Sequence, residues 1–336
     1  MKHLLYIGNK LSDHGYTSTS IETLGMFLEN VGFHVYYASS KRNKIVRMFE
    51  MIFKTLKYAR KVDYVLIDTY STKNFWYAFS ISQLCRLLRL KYIPKLHGGN
   101  LPNRINRSKF FSDFIFKNAH INVAPSNYLY EAFYKKGYTN LIYIPNTIEV
   151  NLYTQSIKEY DAPRLLWVRS FADIYNPIMA IKVFIKVKQL FPNAKIGMVG
   201  PIKDKSYSKT LRFVKNNNIE VLFTGKLSKE EWIELSKEYN IFINTTHFDN
   251  TPISVIEAMA LGLPIISTNV GGIPYLLDHN TNALLINDND AEDMTNQIIR
   301  LMKEPKLAKK LAENGKELIK DFDWDIVKNQ WIELLI

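Results

Sequence analysis

The residues best suited to chemistry lie in one stretch, DNTPISVIEAMALGLPIISTNVGGIPYLL, residues 249–277. It opens on an acid, Asp249, and carries a second, Glu257, further along. Between them Pro252 suits the first turn of a helix, where its missing N–H costs no bond. Asn250 or Thr251 can cap that turn, Gly262 stops the helix, and Pro264 begins a short apolar strand. The first amides of a helix have no intrahelical partner. Those of Ile253, Ser254 and Val255 would therefore form an anion site, favoured further by the helix dipole. Glu257, on the same helix, can accept hydrogen bonds from hydroxyls. Phosphate-binding amides beside a hydroxyl acceptor describe a pocket for a nucleotide sugar. Ser254 adds a hydroxyl at the phosphate end, with Thr251 and Thr268 as further polar candidates; each can instead cap a helix or finish a turn. The plainer reading of the whole stretch is a buried amphipathic helix with a paired acid.

The same stretch resembles the sugar-donor segment of retaining glycosyltransferases of the GT-B fold, in particular glycosyltransferase family 4 (glycosyl transferases group 1). That family places two glutamates at this spacing and continues EAMA-x-G-x-P. Here Glu257-Ala258-Met259-Ala260, Gly262 and Pro264 match, as do Gly271-Gly272 in the next turn, while Asp249 replaces the first glutamate. VAPSNYLYEAF (Val123–Phe133), IPNTIE (Ile144–Glu149), LLWVRSF (Leu165–Phe171), IGMVGP (Ile196–Pro201) and VLFTGKLS (Val221–Ser228) extend the similarity over nearly the whole chain, most specifically from Val123 onward.

The resemblance implies that Glu257 binds the donor ribose and that Asp249 lies near the donor sugar. It also implies that Arg169, at the end of a strand, contacts the diphosphate and offsets charge growing on the leaving group. A surface salt bridge is the plainer role for Arg169. The lysine that the family carries a few residues later is absent from SFADIYN (170–176), where Tyr175 or Asn176 takes its approximate place. Lys226, after Gly225, is the substitute for it, or else a solvated loop residue. His97, at the head of HGGN (97–100), falls where the family carries a histidine close to the donor sugar and catalytic centre; the alternative is a hydrogen-bonded structural histidine. Gly15, between His14 and Tyr16, would let backbone approach the donor phosphate or the acceptor, or simply make a turn. The activity implied is metal-independent, cofactor-free transfer of a sugar from a nucleotide diphosphate to a hydroxyl, with retention of configuration. The missing lysine and the Asp249 exchange motivate an alternative of another class, a non-catalytic GT-B protein that binds a nucleotide sugar and assists a partner transferase.

These side chains must be positioned by an α/β framework. In the first half, short apolar strands are expected at His3–Ile7, His34–Ala38, Tyr64–Asp68, Tyr92–Leu96, Ile121–Ala124 and Leu141–Ile144. Helices fill the gaps, among them Ser18–Asn30 and Asn127–Lys136. The second half repeats the pattern, with strands at Leu165–Val168, Lys195–Val199, Val221–Phe223, Ile241–Asn244, Ile265–Ser267 and Ala283–Ile286. Its helices are expected at Pro177–Leu190, Ala291–Met302 and Lys306–Ile319, and Ser228 with Glu231 reads as a capping box. The expected architecture is two Rossmann-like, doubly wound domains facing a cleft. The first spans 1–150, a polar linker 151–163, the nucleotide-sugar domain 164–322, and a last helix, 323–336, returns toward the first domain.

Composition agrees with two globular domains: 336 residues, 47% apolar and 23% charged. Cys85 stands alone, which excludes an internal disulfide and a cysteine zinc cluster and fits a reducing, cytoplasmic setting. Leu4–Ile7 is too short for a signal peptide, and Phe75–Leu88, interrupted by Ser80, Ser82, Gln83 and Arg86, reads as a buried helix rather than a membrane span. No H-E-x-x-H or cysteine pair occurs, so no metal is expected.

Residues 1–150 hold 21 Lys+Arg against 9 Asp+Glu, whereas residues 151–336 hold 23 of each, so the net charge of +12 belongs to the first half. That points to an anionic partner: a membrane surface, reached from the cytoplasmic side, or a phosphorylated or lipid-linked glycan acceptor. Within Lys44–Lys61, Ile45, Met48, Phe49, Ile52, Phe53 and Leu56 share one helical face, and Lys44, Arg47, Lys54, Lys57, Arg60 and Lys61 fill the remainder. Arg104, Arg107 and Lys109, before Phe110-Phe111, add similar material. Such a helix can lie in a membrane interface; the ordinary alternative packs its apolar face on the sheet. No nucleic-acid-binding signature occurs, and nucleic acid is not an expected partner.

Overall fold

A computed structural model describes residues 2–15, 18–154, 156 and 158–336. Tyr16, one flank of Gly15, lies outside the described residues. The chain divides into two compact units, Met1–Asn146 with Trp324–Ile336, and Thr147–Asp323.

The first unit is built on β1 (His3–Ile7), β2 (His34–Ala38), β3 (Tyr64–Tyr70), β4 (Lys91–His97), β5 (Asn122–Ala124) and β6 (Leu141–Tyr143). All pair in parallel, in the order β2-β1-β3-β4-β5-β6. Parallel strands are covered on both faces, and β1 and β3 are buried almost end to end. The helices are α1 (Ser20–Asn30), α2 (Lys44–Tyr58), α3 (Phe75–Leu87), α4 (Leu101–Arg107), α5 (Lys109–Phe116) and α6 (Asn127–Tyr134). The C-terminal helix, Trp324–Leu335, completes this unit, with Trp324 stacked on Phe27 of α1 at 4.8 Å and Trp331 and Leu335 buried.

The ordinary alternative for α2 holds only in part. The apolar stripe of α2 is divided: Met48 and Ile52 pack against the core, whereas Ile45, Phe49, Phe53 and Leu56 are 69, 66, 63 and 52% exposed, and Arg47, Met51 and Thr55 are buried. The inward polar groups are satisfied, which makes this orientation affordable. Arg47 donates from Nε to the Lys41 carbonyl (2.7 Å), from Nη1 to Asn9 Oδ1 (2.7 Å) and from Nη2 to the Arg42 carbonyl (3.1 Å). Thr55 donates to the Met51 carbonyl at 2.8 Å. Lys54 donates to the Tyr37 carbonyl at 2.8 Å and pairs with Glu50 at 2.9 Å. Arg47 and Lys54, two of the basic residues that fill the remainder of the helix, thus turn toward the protein. Asn43 caps the helix through the Ile45 and Val46 amides.

The second unit carries β7 (Arg164–Val168), β8 (Lys195–Val199), β9 (Leu222–Gly225), β10 (Ile241–Asn244), β11 (Ile265–Thr268) and β12 (Ala283–Ile286). They too are parallel, in the order β12-β11-β10-β7-β8-β9. Its helices are α7 (Pro177–Leu190), α8 (Ser206–Asn216), α9 (Lys229–Ser236), α10 (Ile253–Ala260), α11 (Ala291–Lys303) and α12 (Pro305–Leu318). Ser228 and Glu231 form the capping box of α9. The described residues of 151–163, whose polarity reads as a linker, group with this unit. The Asn240 side chain donates to the Glu159 and Ala162 carbonyls (2.7 and 2.9 Å) and accepts from the Arg164 amide (2.8 Å), and Tyr153 is buried. Each sheet reverses its strand order once, between β1 and β3 and between β7 and β10, and ligands of such sheets bind at the carboxyl ends beside the reversal.

Candidate functional site

Arg169 follows β7 and Asp249 lies in the loop after β10, so the reversal of the second sheet brings together two residues 80 apart in sequence. The Arg169 Nη2 pairs with Asp249 Oδ2, Nε donates to Asn244 Oδ1 at 3.3 Å, and the guanidinium lies 4.8 Å from the Tyr175 ring centroid. Both ionic side chains are largely shielded, with 11 and 19% exposure. The arginine is therefore held in place by a hydrogen bond, an ion pair and a cation–π contact. Its Nη1 is engaged by no partner among the described residues and remains as a donor. The loop bearing Asp249 is fixed from the other side: the Gly272 amide donates to the Asp249 carbonyl at 2.9 Å. Gly271 adopts φ +57°, and a Cβ there would collide with the same carbonyl, which accounts for glycine at this place.

Helix α10 begins one step later than its sequence suggests. Pro252 is the N-cap rather than a first-turn residue, and no side chain caps the helix. The Val255 amide is spent on the Pro252 carbonyl at 3.0 Å. The Ile253 and Ser254 amides find no partner among the described residues, and Ser254 Oγ is buried without one. Thr251 is buried in the turn before the helix. Two of the three expected amides thus remain for an anion, joined by a hydroxyl.

About one turn along the helix, Glu257 is buried at 9% exposure. Its Oε1 accepts a hydrogen bond from Tyr153 Oη at 2.6 Å, and Lys229 Nζ stands 4.0 Å away and over the Tyr153 ring. Burial raises the carboxyl pKa, opposed by the Tyr153 hydrogen bond and by the Lys229 charge. Burial and the neighbouring carboxylate push the Tyr153 hydroxyl far up, so it acts as a donor. The second oxygen, Oε2, has no partner among the described residues and can accept hydroxyls.

Tyr153 and Lys229 were not legible as site residues. Tyr153 sits in the polar run read as a linker, and Lys229 sits inside a capping box that explains its neighbours. Lys226 lies exposed in the loop after β9, and the lysine set beside Glu257 is Lys229. Asn176 adopts φ +47° and caps α7, its Oδ1 accepting from the Met179 amide, while Tyr175 carries the Arg169 guanidinium. Thr268 donates to the Thr246 carbonyl at 2.6 Å. A hollow of about 370 Å³, lined by Asp173, Asn176, Pro177, Ser206 and His247 among others, opens where the loops after β7 and β10 meet.

The first unit holds its own polar cluster at the ends of β1, β3 and β4. His97 Nε2 lies 2.7 Å from Asp68 Oδ1 and its ring stacks on Tyr70 at 4.8 Å. Tyr6 Oη donates to the same Asp68 oxygen at 3.1 Å, and Asp68 Oδ2 is buried without a partner. Lys95, also buried, donates to Ser20 Oγ at 2.5 Å and to Asn146 Oδ1 at 3.4 Å; burial pulls its pKa down to about 8. Burial lowers the His97 pKa as well, with Asp68 opposing and Lys95 adding to the shift. His97 is therefore a hydrogen-bonded histidine with a carboxylate orienting it, a pairing that can serve structure and chemistry alike. A signal for its partners did exist, in charged residues placed inside the apolar strands YVLID and YIPKLH. Gly15 closes the turn Ser12–His14 at φ +81°, where a Cβ would meet nothing; the backbone angle, rather than a close neighbour, calls for glycine.

Among the described residues no group of three or more His, Cys, Asp or Glu side chains is placed to hold a metal ion, and no helix is long and apolar enough to cross a membrane.

Comparison with known proteins agrees with this architecture. The chain is 26% identical to an uncharacterized glycosyltransferase of Methanocaldococcus jannaschii over 93% of its own length and 91% of that protein's. It is 26% identical to the N-acetyl-alpha-D-glucosaminyl L-malate synthase of Bacillus anthracis over 69% of its length and 63% of that protein's. The fold is shared with sucrose-phosphate synthase from Thermosynechococcus elongatus, with a TM-score of 0.84, 17% identity and 99 and 98% of the two chains covered. It is shared also with Anabaena HepE, solved in complex with UDP and glucose, with a TM-score of 0.79, 16% identity and 100 and 99% covered. These are GT-B structures, and the two parallel six-stranded sheets are of that class. The family model for glycosyl transferases group 1 matches residues 153–318, from Tyr153 through the last helix of the second unit. Through that region, which contains Arg169, Asp249, α10 and Glu257, the chain belongs to the glycosyl transferases group 1 family.

Proposed function

We propose that this glycosyltransferase moves a sugar, without a metal and with retention of anomeric configuration, from a nucleotide diphosphate sugar bound in the second unit. The acceptor is a hydroxyl of a lipid-linked or cell-surface glycan intermediate. One observation carries the donor reading: the start of α10 presents two unspent amides and the unpartnered Ser254 hydroxyl, one turn before a buried carboxylate with an open oxygen. In this reading the diphosphate lies on Ile253 and Ser254, and the ribose hydroxyls bond to Glu257. Arg169 approaches the leaving diphosphate through Nη1, oriented by Asp249. Lys229 or Lys226 supplies the charge that SFADIYN lacks. His97, held by Asp68, keeps the catalytic assignment that the family resemblance gives it. The acceptor oxygen bonds to the anomeric carbon as the carbon–phosphate oxygen bond breaks on the same face, and the departing phosphate takes the proton. HepE has been solved with UDP and with UDP-glucose, which supports a uridine donor as the first to try. The basic first half supports an enzyme of the cytoplasm that works at the membrane face.

A second reading is favoured by a single feature, the Arg169–Asp249 pair, which already occupies much of the arginine. It is a protein that binds nucleotide sugar without turnover. A donor screen that measures nucleotide release, run with calorimetry on wild type, Glu257→Ala and Arg169→Ala, separates the two. Transfer requires turnover with at least one donor, weaker nucleotide binding by Glu257→Ala, and a larger loss of turnover than of binding in Arg169→Ala. Unchanged affinity in Glu257→Ala removes the ribose assignment, and binding without release over a broad acceptor set favours the second reading.

A further inference from the structure

Helix α2 turns the wrong face outward for a helix that serves a fold alone. Ile45, Phe49, Phe53 and Leu56 recur at helical spacing and fall within an arc of roughly 80° at ~100° per residue. Each is more than half exposed. The opposite side, Arg47, Met51 and Thr55, is buried and hydrogen-bonded, so the helix cannot simply roll over: doing so would strip Arg47 of three acceptors. The exposed stripe is rimmed by charge of one sign. Lys41, Arg42 and Lys44 precede it, Lys57, Arg60 and Lys61 follow, and all six are exposed. The one acid of the helix, Glu50, is paired with Lys54 at 2.9 Å. Helix α3 packs beside α2, and α5 beside α3, bringing Trp76 and Phe110, which are 41 and 67% exposed.

We propose that this face of the first unit docks on an anionic lipid bilayer, with the exposed α2 side chains buried at the boundary between headgroups and acyl chains and the six cations at the headgroups. The rim decides between occupants. A second copy meeting the same face about a two-fold axis would set like charges against each other. Anionic headgroups neutralise them while the apolar side chains leave water. The lipid-linked acceptor proposed above gives such docking a purpose, and the inference rests on that reading for its purpose alone, not for its test.

The test is co-sedimentation of the whole chain with phosphatidylcholine vesicles containing one third phosphatidylglycerol, and with pure phosphatidylcholine vesicles. Wild type should partition onto the anionic vesicles, and added salt should release it. F49S/F53S and K57Q/R60Q/K61Q should each lower partitioning by about tenfold or more. These side chains are exposed, so circular dichroism and thermal unfolding of the variants should match wild type. Equal binding to both vesicle types, or full binding by F49S/F53S, overturns the proposal. So does a wild-type dimer, seen by light scattering, that F49S/F53S dissociates. Nucleotide affinity measured on the same variants should not change; failure of the donor reading would appear there in the wild type and would leave the vesicle result standing.

Discussion

Replacing Tyr153 with Phe removes one oxygen and leaves the ring, and so isolates the contact that holds Glu257. The hydroxyl donates to Glu257 Oε1 at 2.6 Å, and both groups are buried. A hydrogen bond to a charged group is worth about 1.5–3 kcal/mol, more where the acceptor is left unsatisfied. For a unit of this size each kcal/mol moves the melting midpoint by about 2–4 °C, which places the expected drop at roughly 3–12 °C. The effect depends on pH. Burial raises the Glu257 pKa above its unfolded value of 4.5. The unfolded chain therefore loses this proton first, and stability falls as pH climbs from 4.5 to the folded pKa, then levels off. Tyr153 pulls that pKa down, so Tyr153→Phe carries it higher and widens the window. The gap between variant and wild type should be small where Glu257 is protonated in both states and full at mildly alkaline pH. In the proposed donor reading nucleotide affinity should follow, because there the ribose hydroxyls bond to the carboxylate; its acid-side decline should begin at higher pH in the variant. Thermal unfolding across pH and calorimetry with the nucleoside diphosphate chosen by the donor screen measure both effects. Equal midpoints and equal affinities at every pH would refute the claim that this hydrogen bond organises the site.

Gly271→Ala should destabilise by about 1–2 kcal/mol from the left-handed backbone alone, and because its Cβ meets the Asp249 carbonyl it should also lower turnover; a variant that melts and turns over like wild type would show that the loop can yield. Asp68→Asn removes the charge that opposes the lowering of the His97 pKa, so the imidazole should titrate at still lower pH by NMR. Any acid limb of the turnover profile governed by His97 should move the same way, and an unmoved titration would mean that Asp68 does not act on the ring.

The strand pattern was legible almost residue for residue: His3–Ile7, His34–Ala38, Lys195–Val199, Ile241–Asn244 and Ala283–Ile286 stand where the short apolar runs place them. Such runs are local, and so are the capping box at Ser228 and the placing of Ser254 and Glu257 on one helix. What the sequence by itself determined is this: two series of parallel strands and helices, a helix start with an acid a turn later, and a first half carrying the whole excess of positive charge. Tertiary structure decided the partners. Tyr153 meets Glu257 across 104 residues and Arg169 meets Asp249 across 80, pairings that follow from strand order and not from spacing. It also decided which way α2 faces. Periodicity reports that a helix has an apolar side, but the direction of that side depends on whether the opposite, polar side can be satisfied indoors. Around Arg47 it is, by the Lys41 and Arg42 carbonyls and by Asn9, groups that only the folded chain brings within reach.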